Sequence, residues 1–387
     1  MAGARQALRP GHGIAAALLF NPLLGSLYCW SLFVTPLEAQ LDLPRADISA
    51  IFSIAIVCFT AGTLAGPRVY PVASPPALLL AVAAAAAAGL ALAASGDGWW
   101  AVALGYGGLF GGAAGLGYSI TLQIMALALP ERRGLAAGLG VSGFAVGSIL
   151  FALLLGQAVP RLGLAGAWLG LGVLFLAAGL GAATLLAQSR LKLPPRHRPG
   201  GGEAAGPGGI FALIWTGFLV AAVAGVSSIS HAATIVGSFG GSAAAATWAV
   251  VAINCGNAGG RLGAGWLCDR FPAGRIIGAA HLTAFAGFAL LLAWPGALTA
   301  VACVALQGLA YGMTSGAFPG TLSILFGAAN FGRYFGRLMT AWGLAGLCAP
   351  WLAGRLYDLQ ASYTVILWLC AGLSLVGFLV SRRLPRG

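Results

Sequence analysis

The sequence predicts an all-α membrane protein of twelve transmembrane helices in two six-helix bundles. Three observations carry this. The 387 residues are 59% hydrophobic and only 7% charged, far from the make-up of a soluble globular domain. Apolar stretches of about 20 residues, enough to cross a bilayer, recur along almost the whole chain. Near the middle the stretch RLKLPPRHRPGGGEAAGPGG, rich in Pro, Gly and basic residues, separates two sets of six.

In order, the predicted spans are 13–35, 47–66, 76–95, 99–122, 134–157 and 164–187, then 210–233, 243–266, 275–294, 297–322, 334–354 and 362–381. They define an N-terminal bundle over 11–187, a linker over 188–209 and a C-terminal bundle over 210–382. Two bundles of similar length are the mark of an internal repeat. The alanine run at 83–88 reads as filler on a lipid-facing helix, and the Gly-rich stretch 138–147 allows close helix approach. Within it GLGVSG matches a nucleotide-binding glycine pattern, but no strand precedes it, so that reading is rejected.

The net charge of +12 orients the chain. In an alternating topology Arg5, Arg9, Arg68, Arg132, Arg133, Arg190, Lys192, Arg196, Arg198, Arg270, Arg275, Arg333, Arg337, Arg382, Arg383 and Arg386 share one side, and Arg45, Arg161 and Arg355 the other. The positive-inside rule then places both termini and the linker in the cytoplasm. No basic patch interleaved with aromatics is present, which argues against nucleic acid. The first apolar segment has full spanning length and no clear cleavage site, and is read as a retained helix. The seven cysteines lie singly in apolar spans without a C-x-x-C pair, so neither a disulfide framework nor a metal site is expected.

The residues that bear on function are the polar ones inside spans. Arg261 in the eighth span costs about 2.5–3.5 kcal/mol to insert and cannot shed its proton. Asn257 lies one turn earlier on the same face. Together an amide and a planar guanidinium can grip a carboxylate. The competing reading is that Arg261 snorkels to the nearby helix end. His231, among Ser227, Ser228 and Ser230 in the seventh span, is a candidate for a proton or substrate site or a satisfied structural histidine. His281 has an apolar setting and reads as structural. Tyr28 and Trp30 in the first span, Tyr118 in the fourth, Tyr311 in the tenth and Trp342 in the eleventh are candidate cavity residues. All eight acids fall in connections or at helix ends, which disfavours a cation or sodium site. No nucleophile–base–acid set appears, so an enzyme is not expected.

These features resemble the major facilitator superfamily. The stretch GRLGAGWLCDRFPAGR looks like its cytoplasmic signature between helices eight and nine, with Asp269, Arg270 and Arg275 in place, while GPRVYPVASP in the first half keeps Arg68 but lacks the Asp. Within that fold YCWSLF, RRGLAAGLGVSGFAVGSILFA, NAGGR and TAWGLAGLCAPWLAGRLYD look like the oxalate/formate antiporter and bacterial monocarboxylate transporter branch. The resemblance implies that Arg261 binds a carboxylate beside Asn257, and that Tyr118, His231 and Tyr311 line the pocket. Oxalate-type exchangers carry a second cation, a Lys in helix eleven, where this chain has Trp342. One fixed cation suits one carboxylate, since a second buried anion would be unpaired.

The expected protein is therefore a secondary carrier of a small, lactate- or pyruvate-like monocarboxylate, coupled to a proton through His231. It would act as a monomer in a bacterial inner membrane, without cofactor or metal. The alternatives are an oxalate/formate-type antiporter and a non-transporting receptor on the same fold.

Overall fold

The computed structural model describes residues 9–96, 98–129, 133–191, 193, 208–268 and 270–384. Among them lie twelve α-helices: α1 Pro10–Leu24, α2 Ser31–Leu41, α3 Arg45–Val69, α4 Pro75–Ala94, α5 Trp99–Val102, α6 Gly111–Ala128, α7 Arg133–Ser189, α8 Gly208–Ser238, α9 Ala243–Cys268, α10 Ala273–Ala293, α11 Ala297–Gln360 and α12 Thr364–Ser381. A 3₁₀ turn, Gly25–Cys29, joins α1 to α2, and a π-helical stretch, Ala103–Phe110, joins α5 to α6. Most of the expected linker falls outside the described residues.

Helices and crossings do not correspond one to one. α1, the 3₁₀ turn and α2 form the first crossing, and α5, the π stretch and α6 the fourth. α7 contains the fifth and sixth. Gly163 breaks it with φ 70° and ψ 176°, a conformation that Gly adopts without the Cβ penalty. α11 contains the tenth and eleventh crossings. Its first part runs parallel to α9, with Gly308 on Ile253 and Gly316 on Arg261. Its last part runs antiparallel to α3, with Gly343 on Thr60 and Gly354 on Ala46. The chain therefore reverses direction between Gly316 and Gly343. Eight helical segments of described residues are individually long and apolar enough to span a membrane.

Each bundle contains a seam of small residues at a corresponding place. In the first, Gly107, Gly111 and Gly115 press their backbones against Ile51, Ala55 and Phe59 of α3. In the second, Gly308, Gly312 and Gly316 press against Ile253, Asn257 and Arg261 of α9. The spacing is four residues in both, so one face of each helix carries the contact. A Cβ at Gly115 would sit 1.9 Å from the Phe59 carbonyl oxygen, and one at Gly312 would sit 2.2 Å from that of Asn257. No larger residue fits. This correspondence is an internal repeat in physical form, expected in the sequence from two bundles of similar length.

The bundles meet along two lines. α3 lies against the last part of α11, from Arg45 and Asp358 at one end to Thr60 and Gly343. α7 lies against α9, with Gly156 on Thr247 and a 2.8 Å hydrogen bond from Ser148 Oγ to Asn254 Oδ1. Arg9 N–H donates to the Ser189 carbonyl at 3.1 Å, placing the start of α1 and the end of α7 on one face, here termed the terminal face. Arg45 and Asp358 lie on the far face.

Candidate functional site

The depth of Arg261 depends on which way its side chain runs. Helix Cα–Cβ bonds tilt toward the N-terminus, and for α9 that is away from the terminal face. Arg261 follows this tilt: its Nε donates to Asn257 Oδ1, one turn back, at 3.0 Å. It does not snorkel to the near end of the helix. The guanidinium interacts with the phenols of Tyr28, Tyr118 and Tyr311, which stand on the 3₁₀ turn of the first crossing, on α6 and on α11. Four crossings from both bundles thus converge on one cation.

The polar atoms around it are neutral. Among the described residues the groups that act on Arg261 are phenols and an amide, with no carboxylate. Asn257 is fully buried, and its Nδ2 has no hydrogen-bond partner. An unpartnered buried donor is costly, and here it lies beside a cation that is itself only half-buried. Trp342 Nε1 donates to the Tyr311 hydroxyl at 2.5 Å, which fixes the phenol's direction. Tyr311 also has Gly225 packed against its ring, where any Cβ would clash.

Opposite this polar group stands an aromatic wall. The Phe59 ring lies 5.6 Å from Tyr118, 6.1 Å from Phe144 and 5.7 Å from Trp342, and Tyr28 lies 5.0 Å from Phe144. The site is therefore two-sided, with one cation and several donors facing aromatic carbon. That combination suits a small molecule with one anionic end.

Two expected site residues stand elsewhere. Trp30 is fully buried in the N-terminal bundle, stacked on Phe52 at 6.0 Å and against Tyr106 at 4.9 Å. It follows Tyr28 by two positions and so points to a different face. His231 shares no partner with Arg261. Its Nδ1 bonds the Tyr363 hydroxyl at 2.9 Å, and its Nε2 lies 3.1 Å from the Pro350 carbonyl and 3.5 Å from Ser49 Oγ. The serines around it do not unwind α8, because Ser228 and Ser230 bond back to carbonyls of the preceding turn. His281 is buried and lines a small cavity with Gln307, Thr314 and Ser374. Asp269 of the signature lies outside the described residues, while Arg270 and Arg275 stand at the connection into α10.

His231 belongs to a far-face cluster that the sequence reading missed. Arg45 pairs with Glu38 through Nε–Oε1 at 2.5 Å and Nη2–Oε2 at 2.8 Å. The same guanidinium lies 3.8 Å over the Tyr357 ring and donates to the Tyr363 hydroxyl at 3.2 Å. Asp358 crosses between the bundles to accept from the Arg45 and Ala46 amides at 3.0 and 2.8 Å. It thereby caps the start of α3, where a carboxylate favours the free N–H groups and the helix dipole. Thr234 completes the set with a 2.7 Å contact to Tyr363. The cluster ties the two bundles together at the far face. Glu38, Arg45 and Asp358 looked like loop charges in the sequence, and only their meeting in space marks them.

Comparison with known proteins agrees with this architecture. Residues 213–386 match the profile of the Major Facilitator Superfamily. The chain is 26% identical over 342 residues to the uncharacterized MFS-type transporter YhjX of Escherichia coli, covering 84% of this chain and 83% of that one. It is 31% identical over 314 residues to the human protein Monocarboxylate transporter 11, covering 73% of this chain and 63% of that one. Among solved structures, the D-xylose–proton symporter superposes with a TM-score of 0.75 at 14% identity, covering 97% of this chain and 98% of that one. An inward-facing, unoccupied bacterial homologue of the human lysosomal transporter Spinster gives 0.74 at 15% identity, covering 96% and 97%. The fold is that of the major facilitator superfamily. Over most of its length the chain is similar to an MFS-type transporter, and its C-terminal half matches the family's profile.

Proposed function

We propose that this protein is a secondary carrier of a small monocarboxylate such as lactate or pyruvate, moved together with a proton. The observation that carries this reading is Arg261, a cation held between the two bundles by an amide and three phenols, with no acid acting on it among the described residues. A guanidinium in that setting is stabilised by an anion that arrives from outside the chain. A carboxylate would take the guanidinium fork and the free Asn257 Nδ2. Tyr28, Tyr118 and Tyr311 would orient it, and Trp342 would hold Tyr311. The single cation supports one carboxylate rather than two, and the likeness to Monocarboxylate transporter 11 points the same way.

Transport would follow alternating access, with the bundles rocking about the central site. The far-face cluster, which joins the bundles in this structure, would have to open in each cycle. With the terminal face taken as cytoplasmic, on the basic residues that share it, the far face is the outer one in a bacterial inner membrane. His231 is assigned to proton coupling through that cluster. The Pro350 carbonyl only accepts, so the neutral ring carries its proton on Nε2 and accepts from the Tyr363 hydroxyl at Nδ1; protonation makes Nδ1 a donor and reverses the Tyr363 bond.

The test is uptake of labelled lactate into proteoliposomes under an imposed pH gradient. Uptake that rises with an inward proton gradient is expected. Uptake indifferent to the gradient but dependent on internal anion would replace symport with exchange.

A further inference from the structure

The two glycine seams relate the halves of the molecule residue by residue. Gly107, Gly111 and Gly115 sit on Ile51, Ala55 and Phe59, as Gly308, Gly312 and Gly316 sit on Ile253, Asn257 and Arg261. The repeat thus pairs Ala55 with Asn257 and Phe59 with Arg261. The polar pair that forms the cation site in one bundle is an apolar pair in the other. Repeat-related positions in two halves related by an axis along the membrane normal line opposite walls of a shared central site, and the ring contacts bear this out. Phe59 touches Tyr118, whose phenol interacts with Arg261, and Trp342, whose indole holds Tyr311. It is buried, 5% exposed, where the bundles meet.

We propose that Phe59 is the specificity-determining residue for the end of the substrate remote from its carboxylate, setting both its polarity and its length. The inference rests on Arg261 being the carboxylate site. The carboxylate is held by the C-terminal bundle and the carbon chain lies against Phe59 of the N-terminal bundle. A dicarboxylate would place its second charge on that ring, desolvated and unpaired, which is costly. A longer monocarboxylate would have to displace a ring that Phe144, Tyr118 and Trp342 hold in place. The asymmetry of the ligand would thus mirror the one position at which the repeated seams differ most in chemistry.

The experiment compares ligand-induced thermal stabilisation of the purified full-length protein by propionate, hexanoate and succinate. Four proteins are measured: wild type, Phe59→Ala, Phe59→Lys and Arg261→Lys. Phe59→Ala should raise the affinity ratio of hexanoate to propionate by about tenfold, the scale on which pocket size discriminates added methylenes. Phe59→Lys should bind succinate, which wild type rejects, and weaken propionate by about tenfold. A ratio change is a readout that general destabilisation does not produce. If Phe59→Lys fails to fold, the hexanoate-to-propionate ratio of Phe59→Ala decides alone. An unchanged ratio, with Arg261→Lys silent toward all three ligands, overturns the role of Phe59 and leaves the carboxylate site standing. Undiminished binding by Arg261→Lys overturns both.

Discussion

Two arginines at the interface between the bundles have opposite surroundings. Arg45 on the far face has a full complement of partners: both Glu38 oxygens, the Tyr357 ring and the Tyr363 hydroxyl. Arg261 at the centre has Asn257 and neutral phenols. A cation whose charge is already balanced within the chain serves to join helices. One with no counter-charge among the described residues is, on the proposed function, available to a ligand. The contrast also explains a distribution the sequence leaves odd, in which acids sit only at helix ends. Glu38 and Asp358 belong to the gate, and keeping acids out of the centre leaves Arg261 available.

The comparison can be broken at either arginine. The largest effect is expected at the centre: Arg261→Lys should reduce lactate transport by about 100-fold with the fold intact. A point-charge ammonium loses the bidentate geometry, worth about 2–3 kcal/mol for a charged hydrogen-bonded pair. Circular dichroism and gel filtration alongside uptake check this, and wild-type uptake would refute it. Next is the gate. Glu38→Gln leaves the Arg45 guanidinium largely buried without its anion, at a cost of about 1–3 kcal/mol to the closed state. A single cysteine placed at the far face should then label several-fold faster, and unchanged labelling would mean that the pair does not hold the gate.

His231→Asn sharpens the contrast by removing the imidazole of the far-face cluster. Lactate exchange at equal pH should persist while the response to an imposed pH gradient disappears. Retained gradient-driven uptake would move proton coupling elsewhere. The smallest effect is expected for Asn257→Leu, which removes the free amide donor but keeps the cation. About a tenfold loss of affinity, near 1.4 kcal/mol for one hydrogen bond, should appear in a lactate thermal-shift titration. A loss as large as that of Arg261→Lys would mean that Asn257 acts by positioning the guanidinium.

The architecture was legible because a bilayer leaves few options. Backbone groups in hydrocarbon must bond within helices, so runs of about 20 apolar residues declare themselves even where Gly163 or the turn within α11 joins two crossings in one helical stretch. Arg261 and Asn257 were legible for the same reason, since polar groups in such runs are expensive. Tyr28, Tyr118, Tyr311 and Trp342 were candidates on their neighbours alone, and the fold brings all four together. Trp30 and His231 show the limit. Each looked as suitable as its neighbours, and two positions along a helix, or a different register against α3, sent them elsewhere. Phe59 carried no signal, because a phenylalanine in an apolar helix is unremarked until its repeat partner proves to be an arginine.

By itself, then, the sequence determined the number of crossings, the sidedness of the basic residues and the presence of one costly cation, because each is a matter of transfer free energy along a single chain. Only the tertiary structure decided that Arg261 turns inward toward the phenols, that His231 joins the gate, and that Phe59 stands where the other bundle has its cation. Those depend on which helix faces meet, and within each bundle the meeting is fixed in part by glycine seams such as Gly115 on Phe59 and Gly316 on Arg261, whose partners lie far apart along the chain.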